Sequence, residues 1–149
     1  MTNLISSDEY APYFGHYISL VETPDLIREM KRSLHLTQVF FCSVNEIQAE
    51  YRYAANKWSV KEVLQHIIDT ERVMSYRALC ISRGDKTPLP GFDQDLFIEN
   101  GNAAKRSLSS LLTEHEAVRK ASIALFEMLN EEQFVQMGTA SNNLISVRA

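Results

Sequence analysis

The chain has 149 residues, of which 45% are hydrophobic and 23% are charged, a composition typical of a globular protein and unlike that of a disordered chain. This length suits one domain, which we expect to span residues 1–149. The formal net charge of -4 at pH 7 gives no basic surface for a phosphate backbone, so we expect no direct nucleic-acid partner.

The first predicted helix begins at Thr23 as N-cap, with Pro24 in the first helical position, where a missing N–H costs nothing. Apolar residues then recur at helical spacing as far as Val44. We expect this helix to end near Ser43.

The second predicted helix starts at a capping box, in which the side chains of Ser59 and Glu62 can each accept a hydrogen bond from the other residue's backbone N–H. Its apolar face continues to about Ser82. When residues are placed at intervals of ~100°, Glu71 falls near the centre of that apolar face and His66 falls at its margin.

Residues 83–106 form a connection too long for a simple hairpin between neighbouring helices, which predicts a crossover to the other end of a bundle. The third predicted helix begins near Ser107, and Asn130 is predicted to cap a short helical turn. Arg119 falls close to the centre of the third helix's apolar face, with His115 beside it.

The last residues predict a loop over 138–143, and then Ser146 as the N-cap of a fourth helix whose first positions are 147–149. The fold predicted is therefore all-α, a four-helix bundle whose fourth helix is truncated after its N-terminus. Three helices without a fourth would leave apolar surface exposed, so we expect a homodimer or a higher oligomer.

Glu71 and Arg119 are each anomalous on an apolar face, because an unpaired buried charge costs several kcal/mol. Together they predict a buried, bidentate ion pair between facing helices, since a guanidinium matches carboxylate geometry. A role for Glu71 as general base or metal ligand is the alternative, and the structural pair is favoured.

The four histidines, His16, His35, His66 and His115, show no His-x-x-x-His spacing that would grip a metal from one helix face. The sequence also has no glycine-rich phosphate loop, no nucleophile elbow and no Cys-His pair. Periodicity alone therefore predicts no metal site, and no catalytic residue is assigned.

Two cysteines, Cys42 and Cys80, lie in apolar stretches, so we expect reduced core residues and neither a disulfide framework nor a cysteine zinc cluster. Residues 1–8 lack the basic start and apolar region of a secretion signal. No window approaches the ~18 consecutive apolar residues of a membrane span. The expected location is the cytoplasm.

The second-helix sequence closely resembles the signature of the DinB/YfiT-like superfamily of metalloenzymes. The resemblance runs from about Tyr17 to the last residue, and the Lys-Trp-Ser to Glu-Arg block is its most specific part. The segments that carry it are residues 57–72, 76–79, 83–85, 88–93, 117–119 and 146–149.

The resemblance implies a four-helix bundle of unusual topology with a divalent metal, commonly zinc or nickel, held by three histidines. His66 matches the ligand of the second helix. The other two ligands belong to a Gly-His-x-x-His motif of the fourth helix, and the sequence ends before that motif could appear. One imidazole cannot hold a catalytic zinc, which takes three protein ligands and an open position.

The resemblance further implies metal-assisted thiol transfer, isomerisation or hydrolysis of a small molecule, with a low-molecular-weight thiol as a possible cofactor. The alternative is a catalytically inactive helical module for binding or oligomerisation that lacks a complete metal site. The reading frame beyond Ala149 and the metal content of the purified protein distinguish the two hypotheses.

Overall fold

The computed structural model describes residues 5–21 and 23–149, which contain seven α-helices, two short 3-10 helices and one two-stranded sheet. In chain order, the elements are a 3-10 helix Ser7–Glu9, α1 Pro12–Ser19, α2 Leu26–Cys42, α3 Glu46–Ala49, α4 Val60–Ser82, α5 Gln94–Asn100, a 3-10 helix Ala103–Lys105, α6 Leu108–Glu127, α7 Glu131–Phe134, β1 Met137–Ala140 and β2 Asn143–Ser146.

The three long helices, α2, α4 and α6, confirm the predicted ones. The capping box of α4 is formed, with the Ser59 N–H donating to Glu62 Oε2 at 2.7 Å and the Glu62 N–H donating to Ser59 Oγ at 3.3 Å. Ser107 caps α6 and Asn130 caps α7, as predicted. Local capping chemistry therefore decides where these helices begin.

The predicted start of α2 was wrong by a few residues. Asp25, not Thr23, is the cap, because its Oδ1 accepts the Arg28 N–H at 3.0 Å. Thr23 Oγ1 instead accepts the N–H of Asp25 at 3.2 Å. Pro24 therefore precedes the helix. The N-cap, predicted at Thr23, lies two residues later at Asp25.

The C-terminal residues form a hairpin where a loop was predicted. Gly138 pairs with Ile145 across antiparallel β1 and β2, and Ser141 and Asn142 turn the chain with φ of 50° and 62°. Positive φ at both central residues is the geometry of a tight hairpin turn. Gly138 permits the packing, because a Cβ there would lie 2.4 Å from Ile81 Cγ1.

The predicted start of a fourth helix at Ser146 was also wrong, since Ser146 is the last residue of β2 and a turn follows it. One feature of the prediction is present. Ser146 Oγ accepts the Ala149 N–H at 3.2 Å, the bond that an N-cap serine makes to the third residue of a helix.

The chain divides into two compact units, to both of which α2, α4 and α6 contribute residues. Among the described residues, unit 1 comprises 5–21, 23–31, 74–92 and 123–149, and unit 2 comprises 32–73 and 93–122. The core of unit 1 consists of Ala78, Ile81, Leu89, Leu129, Ala140 and Val147. The core of unit 2 consists of Phe41, Ala49, Leu64, Ile68, Leu108, Leu111 and Leu112.

Within unit 1 the crossover is joined to the hairpin through backbone hydrogen bonds. The Leu89 N–H donates to Thr139 O at 2.8 Å and the Ser141 N–H donates to Leu89 O at 3.0 Å. The connection thus contains ordered structure that its composition did not predict, including α5, whose cap Asp93 accepts two backbone N–H groups.

Both cysteines are free, but Cys42 is exposed, so its assignment to the core was wrong.

In the part of the chain that the structure describes, no helix is both long enough and apolar enough to cross a membrane.

Candidate functional site

His66 lies in the second turn of α4 and is half-buried. Its ring centroid is 4.8 Å from that of Trp58, which stands just before the α4 cap. On the other side, His66 Nδ1 and Thr70 Oγ1 are 3.4 Å apart, one helical turn away. The capping box, the indole and the threonine together fix the position of the imidazole.

Burial lowers the pKa of His66, and the negative charges of Asp69 and Asp95 oppose that shift without cancelling it. The neutral imidazole is therefore favoured near pH 7, and this is the form that binds a metal. Among the described residues, Nε2 of this ring has no hydrogen-bond partner. His66 can thus offer one nitrogen to a ligand.

The remaining ligands of a metal site are not grouped around it. Nowhere in residues 5–21 and 23–149 do three His, Cys, Asp or Glu side chains come together in an arrangement that could hold a metal ion. The described residues therefore supply one imidazole and do not fit a complete three-histidine site.

A polar network that the sequence analysis missed follows His66 on α4. Gln65 Nε2 donates to Asp69 Oδ1 at 2.9 Å, and Arg106 Nη1 donates to Gln65 Oε1 at 3.2 Å. Arg106 also pairs with Glu114, whose other oxygen accepts from Arg72 at 2.5 Å. The spacing of Gln65 and Asp69, four residues apart on a predicted helix, is the signal that could have indicated it.

Asp69 stands three residues after His66, and burial raises the pKa of its carboxyl group, while the bond from Gln65 lowers it. A half-buried carboxyl group with a raised pKa beside an imidazole can exchange protons more readily than a surface aspartate. Asp69 is therefore a titratable group near His66 that the sequence analysis did not identify.

The predicted pair of Glu71 and Arg119 is confirmed, but the bidentate geometry is not, because Glu71 Oε2 has no hydrogen-bond partner among the described residues. Arg119 Nε donates to Glu71 Oε1 at 2.7 Å, and the side chains are 17% and 10% exposed, respectively. Arg119 also donates to Ser33 Oγ, which ties α2 to α4 and α6 within unit 2. The Glu71 carboxylate is thus engaged by a guanidinium between helices, and the contact supports its structural role.

The other histidines do not join His66 in a ligand set. His115 is 1% exposed, and neither ring nitrogen has a hydrogen-bond partner among the described residues. Burial, followed by the charge of Arg119, lowers the pKa of His115 and keeps it neutral. His16 and His35 lie exposed on α1 and α2, as expected of surface histidines.

The fold defines the structural class. The structure of YfiT from Bacillus subtilis, described as a probable metal-dependent hydrolase with an unusual four-helix bundle topology, matches with a TM-score of 0.72. The match covers 81% of this chain and 70% of YfiT at 17% sequence identity. The all-α bundle prediction is thereby confirmed.

The family follows from the sequence itself. A profile of the DinB superfamily matches residues 29–149, and the chain belongs to that superfamily. No curated protein matches the chain.

Proposed function

We propose that this chain is a divalent-metal-dependent enzyme of the DinB superfamily kind, with His66 as a metal ligand. The observation that carries the proposal is the placement of His66, a half-buried imidazole against the Trp58 ring with Nε2 unpartnered among the described residues. Zinc and nickel are the ions that the family resemblance implies, and both accept imidazole nitrogen. A complete site needs further ligands, and among the described residues none is grouped with His66. The proposal therefore includes no reaction step at the metal.

The reaction class proposed is thiol-dependent transfer or isomerisation, or hydrolysis, of a small molecule. Support comes from the superfamily and from the description of YfiT as a probable metal-dependent hydrolase. A low-molecular-weight thiol is a proposed cofactor, and the cytoplasm, which keeps thiols such as the two free cysteines reduced, is the proposed compartment.

The metal proposal is testable through Trp58, the one tryptophan of the sequence, whose ring lies against that of His66. Titration of the 149-residue protein with Zn²⁺ or Ni²⁺ is expected to change the Trp58 emission. The His66→Gln variant should lose that response, while His35→Gln, a variant at an exposed histidine of α2, should keep it. Equal titration curves for wild type and His66→Gln would remove His66 from the site.

A second candidate function is a helical binding or oligomerisation module without catalysis. The absence of a three-ligand group from the described residues favours it. A protein that self-associates but gives no Trp58 response to either ion would support this alternative.

Self-association is proposed under both functions. Its support is the amount of apolar side-chain surface that the described residues leave exposed, much of it on α2 and just after it. Light scattering at several protein concentrations tests this proposal independently of any metal.

A further inference from the structure

Helix α2 carries apolar side chains on two faces. Phe41 is 4% exposed in the core of unit 2, whereas Leu36, Val39 and Phe40 are 50%, 56% and 60% exposed. Leu36, Val39 and Phe40 occupy positions i, i+3 and i+4, so they form a stripe along one side of the helix. An ordinary surface helix presents polar residues on its outer side, and a helix that is apolar on both sides is normally covered.

The exposed stripe continues past the end of α2. Ile47 in α3 is 87% exposed and Tyr51, which follows α3, is 64% exposed. Together with Phe40 they line an open groove of about 540 Å³, whose wall also includes Val44 and Val60. We call the exposed side chains of Leu36, Val39, Phe40, Ile47 and Tyr51 the α2–α3 surface.

We propose that a second copy of this chain docks on the α2–α3 surface and forms a two-fold homodimer. The proposal rests on the self-association proposed above and assigns its location. It does not depend on whether His66 binds a metal.

The exposed area is what a dimer of this kind needs. From their exposed fractions, the five side chains leave roughly 600 Å² open, at the upper end of the largest apolar patch on a typical monomer. Complete burial of these residues in both copies would remove at most about 1,200 Å² from water, which reaches the lower limit of specific interfaces.

The shape of the surface favours a second copy over an unrelated partner. Ile47 is 87% exposed and forms part of the wall of the groove, whose lining is mostly apolar and also includes Ser43 and Gln48. One patch that holds both a highly exposed apolar side chain and a groove is self-complementary, so a two-fold axis lets each copy fill the groove of the other. A two-fold contact of this kind is closed and does not extend into a filament.

The charges around the surface set the direction of the pairing. Arg32 is exposed towards one end of the stripe. Glu46 and Glu50 lie at the other, with side chains 55% and 47% exposed, and the one lysine that they contact, Lys61, leaves a net negative charge there. An antiparallel arrangement brings the basic end of one copy towards the acidic end of the other, whereas a parallel one places like charges together. Rim charges of this kind favour one orientation more than they add affinity.

The test is sedimentation equilibrium or light scattering of the full chain over a range of concentrations. Wild type is expected to be a dimer, and Phe40→Glu and Ile47→Glu should each weaken dimerisation at least about 10-fold, because a charge would be buried at the centre of the contact. The matched control is Met128→Glu, at a 79% exposed side chain outside the surface, which should dimerise like wild type.

The outcomes distinguish self-association itself from its location on the α2–α3 surface. A monomeric wild type overturns self-association itself, and the assigned surface with it. A wild-type dimer that Phe40→Glu and Ile47→Glu leave intact, or that Met128→Glu weakens equally, overturns the surface alone. Neither result bears on the Trp58 titration.

Cross-linking keeps the test open if a glutamate variant fails to fold. Val39→Cys in a Cys42→Ser background places one thiol near the proposed axis and is expected to give a covalent dimer under mild oxidation. Met128→Cys in the same background should remain monomeric on a non-reducing gel. Absence of the Val39→Cys dimer, or equal cross-linking of both variants, contradicts the proposed interface.

Discussion

Each unit of the molecule contains an arginine that is largely removed from solvent, and the two guanidinium groups have different kinds of partner. Arg119 in unit 2 is paired with the carboxylate of Glu71. Arg77 in unit 1 is 7% exposed and has no carboxylate within ion-pair distance among the described residues. Its guanidinium donates to Pro90 O at 2.8 Å and to Ser141 Oγ at 2.9 Å.

The environment of Arg77 shows which groups stabilise a buried cation that has no counter-ion. Burial lowers its pKa, and its partners are a carbonyl group, a hydroxyl group and the ring of Phe92, whose centroid is 5.9 Å from the guanidinium carbon. These contacts join the crossover and the hairpin turn to α4. Arg119 therefore neutralises a charge, whereas Arg77 connects segments of backbone.

The largest expected effect follows from breaking the ion pair. Arg119→Met should destabilise the protein by about 3–5 kcal/mol, because it leaves Glu71 buried without its counter-charge. Arg77→Met should cost less, about 1–2 kcal/mol, since it leaves only neutral acceptors unpaired. Urea unfolding followed by circular dichroism measures both values.

The double variant Arg119→Met with Glu71→Gln is the control for that prediction. Removing both charges should recover much of the loss, because no uncompensated carboxylate remains. Equal stability losses for Arg119→Met and Arg77→Met would show that the two arginines do not differ as described.

A third arginine extends the comparison to pH. In unit 1, Arg148 pairs with Glu9 and lowers the pKa of that carboxyl group to about 2. Since the pKa of Glu9 in the folded protein lies below its ordinary value of 4.5, the pair stabilises the protein above pH 4.5 and the stabilisation is lost as pH falls towards 2. The loss for a pair of this kind is about 1–3 kcal/mol.

Glu9→Gln isolates this contribution. The free energy of unfolding of wild type should fall more steeply between pH 5 and pH 3 than that of Glu9→Gln, and the Arg77→Met variant should follow the wild-type slope. Parallel curves for wild type and Glu9→Gln would contradict the pairing of Glu9 with Arg148.

The sequence was sufficient for features fixed by local chemistry or by one strong anomaly. The capping box of Ser59 and Glu62 defined α4, and two charges on apolar faces predicted the contact of Glu71 with Arg119. The hairpin was missed because its turn residues, Ser141 and Asn142, do not form the usual Asn-Gly signature, and its strands pair only four residues each.

The candidate site shows the same limit. His66 was found by resemblance to a family and not by spacing, because a single histidine on a helix margin carries no signal of its own. Its stacking on Trp58 and the network from Gln65 through Arg106 depend on which rotamers packing selects and on how the crossover folds back onto α4. The periodicity of the sequence does not determine such tertiary contacts.

The smallest effect tests whether the hydroxyl bond to Arg77 contributes to stability. Ser141 has φ of 50°, so Ser141→Ala removes the acceptor and keeps the backbone strain, at an expected cost of about 1 kcal/mol. Ser141→Gly removes the same acceptor but relieves the strain by a similar amount, so its stability should be close to that of wild type. In an Arg77→Met background the alanine cost should nearly vanish, while the glycine variant should become more stable than its parent. An alanine cost that is unchanged in that background would mean that the Ser141 hydroxyl stabilises the hairpin through the turn itself and that Arg77 joins only the crossover to α4.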